Sequence, residues 1–127
     1  YWMGYREYAE AGVTEACPQM FGFQAAGAAP FVEGRPITEP DTVATAIRIG
    51  APASWDLAVA ARDESRGLIN AVTDERIMEA QAFLASDAGV FVEPASAAPV
   101  AGLMELQLLN ETSGRMNGAL SQEAPLL

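Results

Sequence analysis

The sequence predicts an α/β fold, three layers in the order α/β/α around a mainly parallel sheet. Segments with helical spacing of apolar residues alternate with short apolar bursts, in the order helix, strand, helix, strand, helix, strand, helix. That alternation is the mark of right-handed crossover units. The bursts are brief and bounded by glycine or proline, as at residues 90–92 between Gly89 and Glu93-Pro94, which suits strands buried on both faces. No internal repeat replaces this reading with a solenoid.

Each element has its own local reason. Residues 2–13 place Trp2, Tyr5, Ala9 and Val13 at near-helical spacing, with Arg6, Glu7 and Glu10 turned elsewhere, so an amphipathic helix ending near Gly12 is expected. The apolar run at residues 20–24 follows Pro18 and reads as a buried strand. Residues 25–30 then supply backbone without bulk, as a turn or a tight helix contact requires. Gly34, Pro36 and Pro40 mark an exposed loop. Pro52 stands where a helix can begin; Trp55, Ala58, Val59 and Arg62 form its stripe, and Gly67 closes it.

A strand is expected over residues 68–72. Thr73-Asp74-Glu75 is the cap and acidic first turn of the next helix. Ile77, Ala80 and Leu84 are its buried stripe, and Gly89 stops it. A short buried strand over residues 90–92 follows, then a helix from Pro94 rich in Ala95, Ala97, Ala98, Ala101 and Gly102. Small side chains let such a helix approach a sheet or a ligand closely. Trp55 and the Tyr1, Tyr5, Tyr8 set are expected to pack in the core.

Composition removes several function classes. The chain has 127 residues, half of them hydrophobic, and a net charge of −10, which opposes electrostatic binding to nucleic acid or anionic lipid. It contains no histidine, which excludes a serine-histidine or cysteine-histidine pair. With Cys17 as its one soft ligand, a transition-metal site is not expected. No run of 18 apolar residues provides a transmembrane helix. No secretion signal opens the chain, and the single cysteine suits a reducing, cytoplasmic compartment.

Four blocks carry a family resemblance. They are Gln24-Ala25-Ala26-Gly27-Ala28-Ala29-Pro30; residues 42–55, with Ala44-Thr45-Ala46-Ile47-Arg48-Ile49-Gly50 at their centre; Ser54-Trp55-Asp56-Leu57-Ala58; and Phe91-Val92-Glu93-Pro94-Ala95-Ser96-Ala97-Ala98. Over residues 1–103 the chain resembles the later part of the threonine synthases, pyridoxal-phosphate enzymes of fold type II related to the tryptophan synthase β-subunit. The resemblance implies that residues 1–107 are part of such a domain and residues 108–127 a divergent, weakly structured tail. It also implies a piece of a longer reading frame, starting just past the phosphate loop. The cofactor's Schiff-base lysine would come from upstream, because all seven basic residues here are arginines. The threonine-glycine-rich turn expected beyond residue 108 is not matched.

The resemblance also nominates residues. Ala46 lies in a step that, in the family, passes alongside the cofactor ring; a helix packing contact would demand alanine for the same steric reason. Glu93, at the end of the expected third strand, is either a buried partner of the cofactor or a helix cap before Pro94. Arg48 suits a phosphate ester through paired donors, or else is surface-exposed or ion-paired with Asp41 or Asp56. Ser54 either donates to an anion at a helix start or satisfies its own first turn. Ala51 departs from the family, where an asparagine is common. The implied reaction converts O-phosphohomoserine and water to threonine and phosphate, in a homodimeric parent, and the isolated chain is expected to be inactive. The alternatives are a threonine or serine dehydratase-like fragment and a non-catalytic interaction module.

Overall fold

The computed structural model describes residues 1–122, with side chains described through residue 111. Along the chain lie helix α1 (Trp2–Glu10), strand β1 (Phe21–Ala25), α2 (Pro30–Glu33), α3 (Trp55–Glu64), β2 (Leu68–Val72), α4 (Asp74–Asp87) and α5 (Pro94–Gln122), with single 3-10 turns at Ala26–Ala28 and Thr45–Ile47. The two strands are parallel, Phe21 opposite Leu68 and Ala25 opposite Val72. A parallel pair needs a long crossover, and α2 and α3 provide it.

The strand alternation sorts the layers. Phe23 faces α5 so closely that a Cβ on Gly102 would lie 2.1 Å from its ring. On the other face Gly22 adjoins the Ile69 side chain, and Ile69 shares a groove with Leu57, Ala58 and Ala61 of α3 and Trp2 of α1. Helices therefore cover both faces of a parallel sheet, as expected for α/β. The core is Ala25, Ala44, Val72, Ile77, Ala80, Ala97, Ala98 and Ala101. Alanine dominates because α4 and α5 approach the sheet and each other at a distance larger side chains would not permit.

The helix α4 follows its sequence signals. Thr73 caps it, its hydroxyl accepting the Arg76 N–H at 3.3 Å; Ile77 and Ala80 are fully buried and Leu84 partly so.

Four expectations are corrected. Residues 90–92 form no strand: Val90 N–H turns back to the Leu84 carbonyl, and the Val92 carbonyl accepts from Gln81 Nε2 at 2.7 Å. The bonds a strand would exchange with a neighbour are spent on α4, and Phe91 is 83% exposed. The helix expected from Pro52 begins only at Trp55. It is closed by Arg66, which takes the left-handed conformation (φ 56°) that Gly67 was expected to supply. Tyr1, Tyr5 and Tyr8 are exposed, not core residues; Trp55 does pack, its ring 4.5 Å from that of Phe31.

At the carboxyl end, α5 passes residue 107 without interruption and continues to Gln122. Residues 123–127 of the expected tail lie outside the described residues.

Candidate functional site

The carboxyl ends of β1 and β2, Ala25 and Val72, lie side by side, and one loop crosses both. After β1, the Gly27 carbonyl accepts the Asp41 N–H at 2.9 Å. After β2, the Asp74 carboxylate takes the Thr42 hydroxyl on Oδ1 (2.5 Å) and the Val43 N–H on Oδ2 (2.9 Å). Thr42 Oγ1 also accepts the Ala44 N–H at 3.1 Å, and the Thr42 carbonyl accepts from Arg48 Nε at 3.1 Å and from Nη2. Thr42 is buried, so these bonds replace lost hydration. Residues 41–48 are thereby pinned across the position where open α/β sheets bind ligands.

Ala46 is exposed in the middle of the Thr45–Ile47 turn. Ala44 beneath it is fully buried, and Ile47 packs on the alanine-rich core that includes Ala97, Ala98 and Ala101 of α5. Arg48 is exposed, one of its two plainer readings, and is not paired with Asp41 or Asp56; its guanidinium donates to the Thr42 carbonyl. Glu93 is exposed, not buried, because no strand forms around it. Its carbonyl accepts the Ser96 and Ala97 N–H groups at 3.0 and 3.3 Å, so it stands at the cap of α5 through its backbone. Ser54 precedes α3, and its carbonyl accepts the Ala58 N–H at 3.0 Å while its side chain makes no cap bond, so the hydroxyl does not satisfy its own first turn.

A cavity of about 310 Å³ brings part of this set together. Ser54, Ile47, Ile49 and Pro52 line it beside Phe23 and Gln24 of β1, and Gln24 is held there by accepting the Phe31 N–H at 3.0 Å. Ser54 thus shares a wall with the turn that carries Ala46 and leads into Arg48, whereas Glu93 is not on that wall. Sequence reasoning missed Asp74 as the anchor of the loop. Its acidic first-turn position was legible; its bond to a threonine 32 residues away was not.

Electrostatic tuning falls at the margins. Glu75 is held below the usual carboxylate range by its own backbone N–H and by the Thr73 hydroxyl. Asp63 is lowered by its bond to Arg62, at 2.7 Å. Among the described residues no cluster of ligands suits a metal ion, and no helix is long and apolar enough to cross a membrane.

A family model described as pyridoxal-phosphate dependent enzyme matches residues 2–117. The chain belongs to this family of pyridoxal-phosphate dependent enzymes. It is 58% identical over 105 residues to a threonine synthase of Synechocystis sp., covering 83% of this chain and 28% of that protein. A threonine synthase of Mycobacterium leprae is 55% identical over 105 residues, covering 83% and 29%. One of Methanocaldococcus jannaschii is 46% identical over 113 residues, covering 83% and 28%. The chain therefore spans less than a third of the length of these curated relatives. The crystal structure of a T.th. threonine deaminase superposes with a TM-score of 0.60 at 22% identity, covering 82% of this chain and 39% of that one, a likeness of fold.

The family's cofactor is held as a Schiff base on a lysine, and this pyridoxal-phosphate family chain contains no lysine. The wall at the strand ends is apolar apart from Gln24 and Ser54. These residues suit a surface against which a flat ring lies. They do not fit a site that anchors the cofactor covalently.

Proposed function

We propose that the chain forms one wall of the active site of a threonine synthase, which converts O-phospho-L-homoserine and water to L-threonine and phosphate. The observation that carries this reading is the 58% identity to a threonine synthase over 105 residues, set on a loop pinned across two parallel strand ends. In this reading Ala46 and Glu93 lie on the cofactor side. Arg48 and Ser54 face the substrate phosphate: a guanidinium has five N–H donors, of which the Thr42 carbonyl engages those on Nε and Nη2. The anchoring lysine comes from polypeptide outside these 127 residues. The parent is a cytoplasmic homodimer, and the isolated chain has no activity.

A dehydratase-like lyase is the second reading, favoured by the threonine deaminase fold at 22% identity. Replacing the matching 105-residue segment of the Synechocystis enzyme with this chain's residues separates the two. Phosphate and threonine released from O-phosphohomoserine are expected. Ketoacid formed from threonine without phosphate release would overturn the proposal. For the isolated chain, pyridoxal phosphate followed by borohydride should leave no reduced adduct on any side chain.

A further inference from the structure

A second concavity is larger than the one at the strand ends and faces the other side of the sheet. The groove encloses about 920 Å³ between α1 and α3, floored by Met20, Phe21, Gly22 and Ile69. Its apolar walls are open to solvent: Tyr1 is fully exposed, Leu57 is 74% exposed and Met3 72%. The charged groups on the rim bond one another: Arg6 Nη1 meets Glu64 Oε2 at 3.1 Å, and Trp2 Nε1 donates to the same oxygen at 2.7 Å. These bonds fasten α1 to α3 and hold the groove open.

Parallel strands are normally covered on both faces and flanked by further strands. Here, among the described residues, the sheet has two strands, and Phe21 on β1 is 44% exposed. The matched relatives meanwhile contain more than twice as much chain outside the aligned segment as within it.

Resting on the threonine synthase reading, we propose that this groove is the docking surface for the complementary portion of a threonine synthase polypeptide, the portion that lies outside the aligned 105 residues. The occupant packs an apolar helix face over Leu57, Met3 and Ile69 and continues the sheet beside β1. The rim carries Arg6 and Arg62 beside Glu7, Glu10 and Glu64, with Arg6 paired to Glu10 and Glu64, so the occupant is matched to the groove by its apolar face. On a chain of net charge −10, long-range attraction favours a partner less acidic than this chain. A second copy of this chain would bring the same net charge of −10 and is disfavoured by like-charge repulsion.

The test mixes the purified 127-residue chain with Synechocystis threonine synthase from which the aligned segment has been deleted. Tryptophan fluorescence follows Trp2 on the groove wall, and light scattering gives the mass of the complex. A one-to-one heterocomplex is expected. Leu57→Asp and Phe21→Asp should each weaken it about tenfold or more, as loss of a buried apolar anchor does, while Val32→Asp, exposed away from the groove, leaves it unchanged. Circular dichroism checks that each variant folds, and Met3→Asp serves if either does not. Failure to form a complex, even on co-expression, overturns the proposal, as does a complex indifferent to the groove variants or a homodimer of this chain that closes the groove. A groove-dependent complex that releases no phosphate from O-phosphohomoserine removes the functional reading and leaves the docking surface standing.

Discussion

Thr42 donates its hydroxyl to the Asp74 carboxylate at 2.5 Å, and the neighbouring Val43 N–H lies 2.9 Å from the second oxygen of the same group. One side chain at the head of α4 thus holds a loop that belongs to the crossover between β1 and β2. The turn bearing Ala46 keeps its place above the strand ends through this contact and through Arg48 on the Thr42 carbonyl.

Asp74→Ala should destabilise the fold by about 1–3 kcal/mol, because a buried hydroxyl and a backbone N–H lose their acceptor together. Asp74→Asn keeps an acceptor and should recover part of that loss. Glu75→Gln, which changes charge in the same helical turn without touching Thr42, separates the dipole contribution. Urea midpoints measure all three, and hydrogen exchange at Val43 should accelerate in Asp74→Ala alone.

Gly102→Ala tests the approach of α5 to the sheet. The added Cβ would fall 2.1 Å from the Phe23 ring, so a cost of about 1–3 kcal/mol is expected from overpacking. Combining it with Phe23→Leu should cost less than the two single changes added together, since the smaller side chain makes room. Strict additivity in the double-mutant cycle would show that the two residues do not meet.

How far the sequence could be read depended on whether a signal was local. The strand over residues 68–72 and the Thr73 cap were legible because their causes, an apolar run and a hydroxyl three residues before an orphan amide, lie within a few positions. Residues 90–92 misled: an apolar burst between glycine and proline has a strand's composition, but pairing requires a neighbour, and Gln81 took the Val92 carbonyl instead. The tyrosines of α1 misled in the same way, since helical spacing identifies a face without saying what covers it. At the site, family resemblance nominated Ala46 and Ser54: Ser54 lines the wall together with Ile47, the neighbour of Ala46 in the same turn, whereas Ala46 itself is exposed. The exposure of Glu93 followed from the missing strand. Asp74's bond to Thr42 joins positions too distant in sequence for any pattern to link.

Acid sensitivity should involve Glu75. Its folded-state pKa is depressed, so its contribution to stability is present above the ordinary glutamate range and disappears as the pH falls through the lower folded value. Its own backbone N–H and the Thr73 hydroxyl are the cause. Glu75→Gln should therefore flatten the acid limb of a stability–pH curve and leave the neutral plateau's shape unchanged. The effect is expected to be small because the carboxylate is exposed. An unaltered acid limb in denaturant titrations across that window would remove Glu75 from the account.

Adjacent positions after α3 should respond oppositely to substitution. Arg66 adopts φ 56°, a conformation that costs a side-chain-bearing residue about 1 kcal/mol, so Arg66→Gly relieves strain while adding unfolded-state entropy and should lie within about 1 kcal/mol of the parent. Gly67 has no such backbone requirement, yet a Cβ there would sit 1.9 Å from the Met20 carbonyl oxygen. Met20 is the residue whose carbonyl accepts the Leu68 N–H at 3.1 Å, at the point where β1 and β2 begin to pair. Gly67→Ala must therefore push the strands apart at their first bond, and it should cost more than Arg66→Gly by a margin visible in the thermal midpoint. Equal midpoints for the two variants would mean that the strands start farther apart than this contact requires.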